Sequence, residues 1–213
     1  MAGNRDPDSG VRREYAALAS DYDRRWARYL AVTAEHTIER LSLAGDARVL
    51  DVGCGTGALL ERLALAFPRA RLTGIEPVPE MREQARGRLP AEVDLCAARA
   101  QRLPFTGSVF DAVVCTSVLH HLPAGAAAGA VLEMSRVLRP GGQVVVTDWS
   151  GDAMACRLFA AWLRLRRPAP LHLYRGDRLR ALLRQAGFTA VRLERYRGSG
   201  LWSLMTAGAR RAW

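Results

Sequence analysis

From residue 47 onward, two patterns of apolar residues alternate along the chain: short continuous runs, and longer segments with helical spacing. The short runs are Arg48 to Val52, Arg71 to Ile75, Glu92 to Ala97, Phe110 to Thr116 and Gln143 to Asp148, the pattern of strands buried on both faces. Between them, Leu59, Leu60, Leu63, Ala64 and Phe67 mark a helix that Pro68 stops. Pro79 to Arg88 and Gly125 to Leu138 predict two more helices, the second ended by Pro140-Gly141-Gly142. This βαβα order predicts an α/β fold: a parallel sheet covered on both faces by helices.

Both flanks depart from that rhythm. Residues 11–42 predict one or two helices rich in tyrosine and arginine. Residues 152–167 predict an amphipathic helix, with Met154, Leu158, Ala161, Trp162 and Leu165 on one face and Arg157, Arg164 and Arg167 on the other. Asp177 to Ala186 reads as a helix capped by Gly187, and Val191 to Tyr196 and Leu201 to Ala207 as closing strands. With 213 residues, no repeat and no linker, one domain over 1–213 is expected.

Composition adds constraints. A hydrophobic fraction of 49% against 24% charged excludes wholesale disorder. All 31 basic residues are arginine, and they are unevenly placed. Residues 1–156 carry 18 Arg against 19 acids, a net of −1, whereas residues 157–213 carry 13 Arg against Asp177 and Glu194, a net of +11. That excess suits an anionic acceptor or an anionic membrane surface, and a solvated arginine face explains it equally well. Cys54, Cys96, Cys115 and Cys156 are far apart with no C-x-x-C pair, so no metal site is expected and a reducing cytoplasm fits. Residues 1–10 lack the apolar core of a signal peptide, and no apolar run approaches the ~20 residues of a membrane span.

The candidate chemistry lies at the strand ends. Val49-Leu50-Asp51-Val52-Gly53-Cys54-Gly55-Thr56-Gly57 puts glycines at a strand-to-helix turn, where a ligand can approach bare backbone. The glycines alone also satisfy a loose dinucleotide fingerprint. Asp51 disfavours that reading, because a carboxylate two residues before Gly53 repels a pyrophosphate and suits an ammonium group. Glu76, at the end of the next strand, is placed to accept two ribose hydroxyls.

Five linked blocks then carry a family resemblance: Asp51 to Gly57; Gly74-Ile75-Glu76-Pro77; Leu103-Pro104-Phe105; Phe110-Asp111-Ala112-Val113-Val114 leading to Leu119-His120-His121-Leu122; and Leu138-Arg139-Pro140-Gly141-Gly142. In this order they resemble the class I S-adenosylmethionine-dependent methyltransferases, nearest to the small-molecule group that includes the quinone C-methyltransferases. The resemblance spans about residues 45–150. It implies a doubly wound, Rossmann-like sheet of about seven strands, mostly parallel with an antiparallel last strand. It also implies S-adenosyl-L-methionine as cofactor and S-adenosyl-L-homocysteine as product. Asp51, Gly53 and Gly55 would hold the methionyl part, Glu76 and Pro77 the ribose side, and Thr116 and Ser117 would lie beside the amino acid. Arg99 stands where the family often has an acid for the adenine amino group. Arginine cannot accept that hydrogen bond, so backbone at Ala100 and packing are the expected substitutes.

Methyl transfer asks mainly for placement, with a base only when the nucleophile arrives protonated. His120, His121 and Asp148 are the candidate catalytic groups. In the segment 11–42, Tyr15, Trp26 and Tyr29 are expected to pack, while Tyr22 is expected to face the sulfonium as part of a lid. Asp148 and Trp149 are expected to point at an acceptor pocket; for Tyr174 and Trp202, completion of that pocket and core packing are equally good readings. Residues 45–150 would then be the cofactor core and 151–213 the acceptor side. The Asn/Asp-Pro-Pro run of adenine and glutamine methyltransferases is missing after residue 116, as are the paired glutamates of protein arginine methyltransferases. A small-molecule acceptor is therefore expected, with no nucleic acid partner and a monomer or homodimer. A membrane-borne quinone precursor or phospholipid is the alternative acceptor. A non-catalytic cofactor binder or an RNA binder is the alternative of another class.

Overall fold

The computed structural model describes residues 9–166, 171–198 and 203–213. Seven strands make one sheet: β1 (Arg48–Val52), β2 (Arg71–Ile75), β3 (Asp94–Cys96), β4 (Phe110–Thr116), β5 (Leu138–Trp149), β6 (Phe188–Arg197) and β7 (Ser203–Arg211). Their spatial order is β3-β2-β1-β4-β5-β7-β6. The pairings among β1 to β5 are all parallel, and β7 runs antiparallel to both β5 and β6. This is the mostly parallel sheet, antiparallel at its last strand, that the sequence led us to expect.

The seven helices are α1 (Ser9–Leu18), α2 (Tyr22–Ile38), α3 (Ala58–Ala66), α4 (Pro79–Arg88), α5 (Ala124–Val137), α6 (Met154–Arg164) and α7 (Gly176–Gln185). Successive strand residues point to opposite faces, so each central strand feeds two cores. Val49, Ala112, Val114 and Val145 pack with Leu59, Leu60 and Leu63 of α3. Leu50, Val113, Cys115, Val144 and Val146 pack with Met134 of α5 and Leu179 of α7. Each such Val or Leu side chain stabilises the fold by roughly 1.5–3 kcal/mol. Because strands β1 to β5 are parallel, their carboxyl ends lie along one edge of the sheet.

A buried hydroxyl chain sets α2 against the sheet: Thr37 and Thr147 are bonded at 2.7 Å, and Thr147 and Thr206 at 2.9 Å. This fixes the helix that carries Tyr22, Trp26 and Tyr29.

Two local expectations are revised, and the structure decides which face of one helix meets the core. The Pro140-Gly141-Gly142 run belongs to β5, whose register with β4 jumps from Phe110–Leu138 to Ala112–Gln143. It forms a bulge, with Gly141 at φ +74°, while α5 has already ended at Val137. The third strand is shorter than expected, because only Asp94 to Cys96 pair with β2. On α6 the apolar stripe faces outward: Met154, Leu158, Trp162 and Leu165 are 61%, 65%, 45% and 86% exposed. The helix meets the core through Cys156 and Ala160 instead. Of its expected basic face, Arg167 lies outside the described residues. Among the described residues no helix is long and apolar enough to cross a membrane, and no cluster of three His, Cys, Asp or Glu side chains is arranged to hold a metal ion.

Candidate active site

The site begins at the turn after β1. Gly53, Gly55 and Gly57 sit at φ +77°, +54° and +80°, backbone geometry that side chains with a Cβ resist. The Gly53 and Cys54 amides both donate to the Ile75 carbonyl, at 2.8 and 2.9 Å, and so tie the turn to the end of β2. A Cβ on Gly53 would lie 2.4 Å from Val118, whereas one on Gly55 would meet nothing within 4 Å. Bare backbone at Gly55 thus faces open space.

Two carboxylates flank that space. Glu76 accepts from the Gly55 amide at 3.1 Å and from the Val78 amide at 2.9 Å. Burial raises its pKa against the lowering effect of these amides and of Arg82. Asp51 is 2% exposed, and its pKa is pushed up to about 8, by burial first and then by the charge of Glu76. A carboxylate so placed is poorly solvated until a cation neutralises it.

Tyr22, Gly53, Gly55, Glu76, Pro77, Arg99, Ala100, Thr116 and Ser117 line one cleft of about 130 Å³ at the strand ends. The expected cofactor residues are thereby brought together, apart from Asp51, which is buried in β1 and contributes no lining. The cleft also takes in Tyr15, Gln101 and His121, none of them expected as cofactor ligands. Gln101 carries a carboxamide oxygen, an acceptor that Arg99 lacks. The glycine turn is braced from afar as well: the Thr56 hydroxyl donates to Asp23 of α2 at 2.6 Å, and Arg88 of α4 pairs with the same Asp23.

Ser117 holds φ +63°, a strained value for a non-glycine residue, where the cleft meets a second space. Its amide donates to the Thr147 carbonyl at 2.8 Å. The Trp149 indole N–H donates to the Tyr29 hydroxyl at 2.8 Å, and Tyr29 in turn bonds Ser117 Oγ at 2.5 Å. Burial, first, and then the charge of Asp148 push the Tyr29 phenol well above its ordinary pKa, so it stays protonated.

The two histidines occupy a short 3-10 turn, Leu119–His121, and diverge in environment. His121 Nε2 shares a 2.7 Å hydrogen bond with the Tyr15 hydroxyl of α1 and faces the cleft. His120 Nδ1 lies 2.7 Å from Asp148 Oδ1, both side chains being buried. The Asp148 carboxylate also accepts from the His120 and Trp149 amides, at 3.2 and 2.7 Å. The His120 ring stacks on Trp149 at 4.7 Å between centroids.

His120 opens onto a second cavity, of about 640 Å³, that shares Tyr15, Tyr22 and Ser117 with the first. Trp26, Tyr29, Trp149, Phe159 and Trp162 supply most of its wall. Tyr15, Trp26 and Tyr29 pack as expected, in small apolar clusters, and each also lines one or both spaces. The expectation for Asp148 is corrected: it does not line the second cavity but sits behind His120. Tyr174 is a core residue whose hydroxyl donates to the Leu122 carbonyl, and Trp202 lies outside the described residues. Phe159 and Arg166 were not singled out from the sequence as pocket residues; only an aromatic and a cation at helical spacing marked them.

Comparison with known proteins agrees with this geometry. The family model described as a methyltransferase domain matches residues 49–142. The malonyl-[acyl-carrier protein] O-methyltransferase of Geobacter sulfurreducens is 34% identical over 195 residues, covering 85% of this chain and 70% of the relative. A ubiquinone/menaquinone biosynthesis C-methyltransferase of Syntrophotalea carbinolica is 35% identical over 136 residues, 62% of this chain and 54% of the relative. The solved structure of an S-adenosylmethionine-dependent methyltransferase from Thermotoga maritima superposes with a TM-score of 0.76 at 18% identity, covering 93% of this chain and 98% of that one.

Proposed function

This chain belongs to the class I S-adenosylmethionine-dependent methyltransferases, and from that premise we propose that its acceptor is a small molecule bearing a hydroxyl, deprotonated by His120. The observation that carries the proposal is the pair of joined spaces: a cleft lined by Gly53, Gly55 and Glu76, sharing Ser117 with a cavity lined by His120, which Asp148 backs.

The residues of the cleft fit the cofactor. Behind that lining, Asp51, raised to about 8 by burial and then by the charge of Glu76, suits the α-ammonium group. Gly53 and Gly55 offer backbone without a Cβ, and Glu76, held by two amides, keeps lone pairs for the ribose hydroxyls. Gln101 and the backbone at Ala100 serve the adenine in place of the missing acid at Arg99. Bound S-adenosylmethionine supplies an electrophilic methyl group and takes back the C–S electron pair on becoming S-adenosylhomocysteine. Asp148 accepts the Nδ1 proton of His120, so that His120 Nε2 is the basic nitrogen on the cavity side. The acceptor oxygen gives its proton to that nitrogen and its lone pair to the new O–C bond. Tyr29 and Trp149 hold Ser117 at the junction, and Tyr15 and Tyr22 of α1 and α2 keep water from it. His121, engaged by Tyr15, has a positioning role.

Calorimetric titration with S-adenosylmethionine, followed by incubation with a small-molecule extract and a mass-spectrometric search for methylated hydroxyls, tests the reading. Binding by the wild type, lost in Glu76→Gln, together with a methylated product supports it. Binding without any methylated small molecule overturns the small-acceptor part.

A second reading has its own observation. The exposed stripe on α6 and the arginine excess of residues 157–213 favour an acceptor presented at an anionic membrane surface. Failure to sediment with anionic vesicles at low salt would refute it. Four cysteines without disulfide partners support a reducing, cytoplasmic setting.

A further inference from the structure

The second cavity differs from the cofactor cleft in what lines it. Its wall is built of ring faces. The His120 imidazole and Trp149 indole lie nearly parallel, 16° apart with centroids at 4.7 Å. Phe159 and Trp162 stack at 23° and 5.6 Å, and the Arg166 guanidinium covers the Trp162 ring at 4.4 Å. Arg25 sits over Trp26 at 5.9 Å in the same lining. A volume of about 640 Å³ lies within the range of pockets that enclose drug-sized ligands.

From these observations we infer that the acceptor is a flat, fused-ring aromatic hydroxy acid, with its hydroxyl at His120 and its carboxylate at the Arg25 and Arg166 end. This rests on the methyl-transfer reading above and adds the substrate class to it. Three features of the cavity set that class. A lining in which ring side chains outnumber Ala17, Leu18 and Leu163 favours aromatic partners over aliphatic ones of equal size, because edge-to-face and offset ring contacts add to the area buried. The hydroxyl follows from His120, the base that lines the wall. The acid follows from the charges: Arg25 and Arg166 outnumber Glu14, the carboxylate of the lining, and both arginines are exposed at the rim. Among the described residues these two guanidiniums stack on tryptophans instead of pairing with carboxylates, so their donors are free to take a carboxylate in bidentate fashion.

The inference is tested by binding, with S-adenosylhomocysteine present to fill the cleft. The probes are 6-hydroxy-2-naphthoic acid, its uncharged analogue 2-naphthol, and aliphatic 3-hydroxybutyrate, followed by quenching of tryptophan fluorescence. The naphthoate is expected to quench and saturate, to bind more tightly than 2-naphthol, and to outbind 3-hydroxybutyrate by at least tenfold, on the order of one stacked ring pair. Arg166→Gln should weaken the naphthoate about threefold and leave 2-naphthol unchanged, while Trp162→Ala should weaken both. Calorimetry with S-adenosylhomocysteine should show the same affinity in both variants, which also reports that they are folded. If S-adenosylhomocysteine binds but 3-hydroxybutyrate binds as well as the naphthoate, or neither variant changes naphthoate binding, the aromatic-acid inference is overturned and the methyl-transfer reading stands. If the wild type does not bind S-adenosylhomocysteine, the methyl-transfer reading falls and the inference with it.

Discussion

Replacing Asp51 by Asn should make the ligand-free protein more resistant to unfolding at pH 8 while removing its affinity for S-adenosylmethionine. Asp51 is fully buried in β1, and its pKa rises from 3.8 to about 8 through burial and the nearby charge of Glu76. Between those two values the unfolded chain releases the proton and the folded chain keeps it. The folded state then binds more protons, so the stability this group contributes is complete below pH 3.8 and is lost as pH rises through about 8. Going from pH 5 to pH 8, the loss integrates to about 3–4 kcal/mol. That is a large part of the roughly 5–15 kcal/mol typical of a domain. Asn is nearly isosteric and has no charge to desolvate, so the variant escapes this loss. Urea unfolding of both proteins at the two pH values isolates the effect, because the other titrating groups cancel in the difference. The variant's advantage should grow by about 3–4 kcal/mol between pH 5 and pH 8. Binding of S-adenosylmethionine should weaken by about 100-fold or more, the loss of a charge-assisted bond to the ammonium. An advantage unchanged between the two pH values, or wild-type affinity in the variant, would refute the reasoning.

Three further perturbations test neighbouring parts of the site. His120→Gln should lower turnover by about 10²–10⁴-fold with S-adenosylhomocysteine affinity unchanged, since the base is lost and the cleft is intact; single-turnover rates beside calorimetry decide it. Tyr29→Phe strands the Trp149 indole N–H and frees Ser117, which should destabilise the protein by about 1–3 kcal/mol in chemical unfolding. Gly53→Ala meets Val118 at 2.4 Å with φ +77° and should abolish cofactor binding and lower the melting temperature; Gly55→Ala, with open space before it, should spare stability far better and act mainly on affinity. Differential scanning fluorimetry with and without S-adenosylhomocysteine separates these two outcomes.

Local pattern carried much of this protein. The strands Arg48–Val52, Arg71–Ile75 and Phe110–Thr116 and the helix Pro79–Arg88 are legible to the residue, because a buried parallel strand needs a continuous apolar run and Pro fits the first turn of a helix. The glycine turn, Asp51 and Glu76 are legible for a related reason: turn geometry and strand ends are properties of a few consecutive residues. The bulge at Pro140-Gly141-Gly142 was misread as a helix stop, since the same residues break helices and open bulges.

The acceptor side was decided by tertiary structure. Tyr29 reaches Ser117 across 88 residues of chain, Trp149 reaches Tyr29 across 120, and Tyr15 reaches His121 across 106. No periodicity spans such distances. A tyrosine stripe reads as helix packing until the fold shows a cavity on its other side. The same holds for the two histidines, adjacent in sequence and equal in composition. Only the turn that points one at buried Asp148 and the other at Tyr15 gives them different environments. It holds again for α6, whose amphipathic pattern left open which face meets the core; the core is met by Cys156 and Ala160, and the apolar stripe is exposed. Sequence determined what is set by neighbours along the chain: the sheet, the glycine turn and the carboxylates at its strand ends. The tertiary structure decided which distant side chains share a cavity and which are excluded from water, and pKa and reactivity depend on that exclusion.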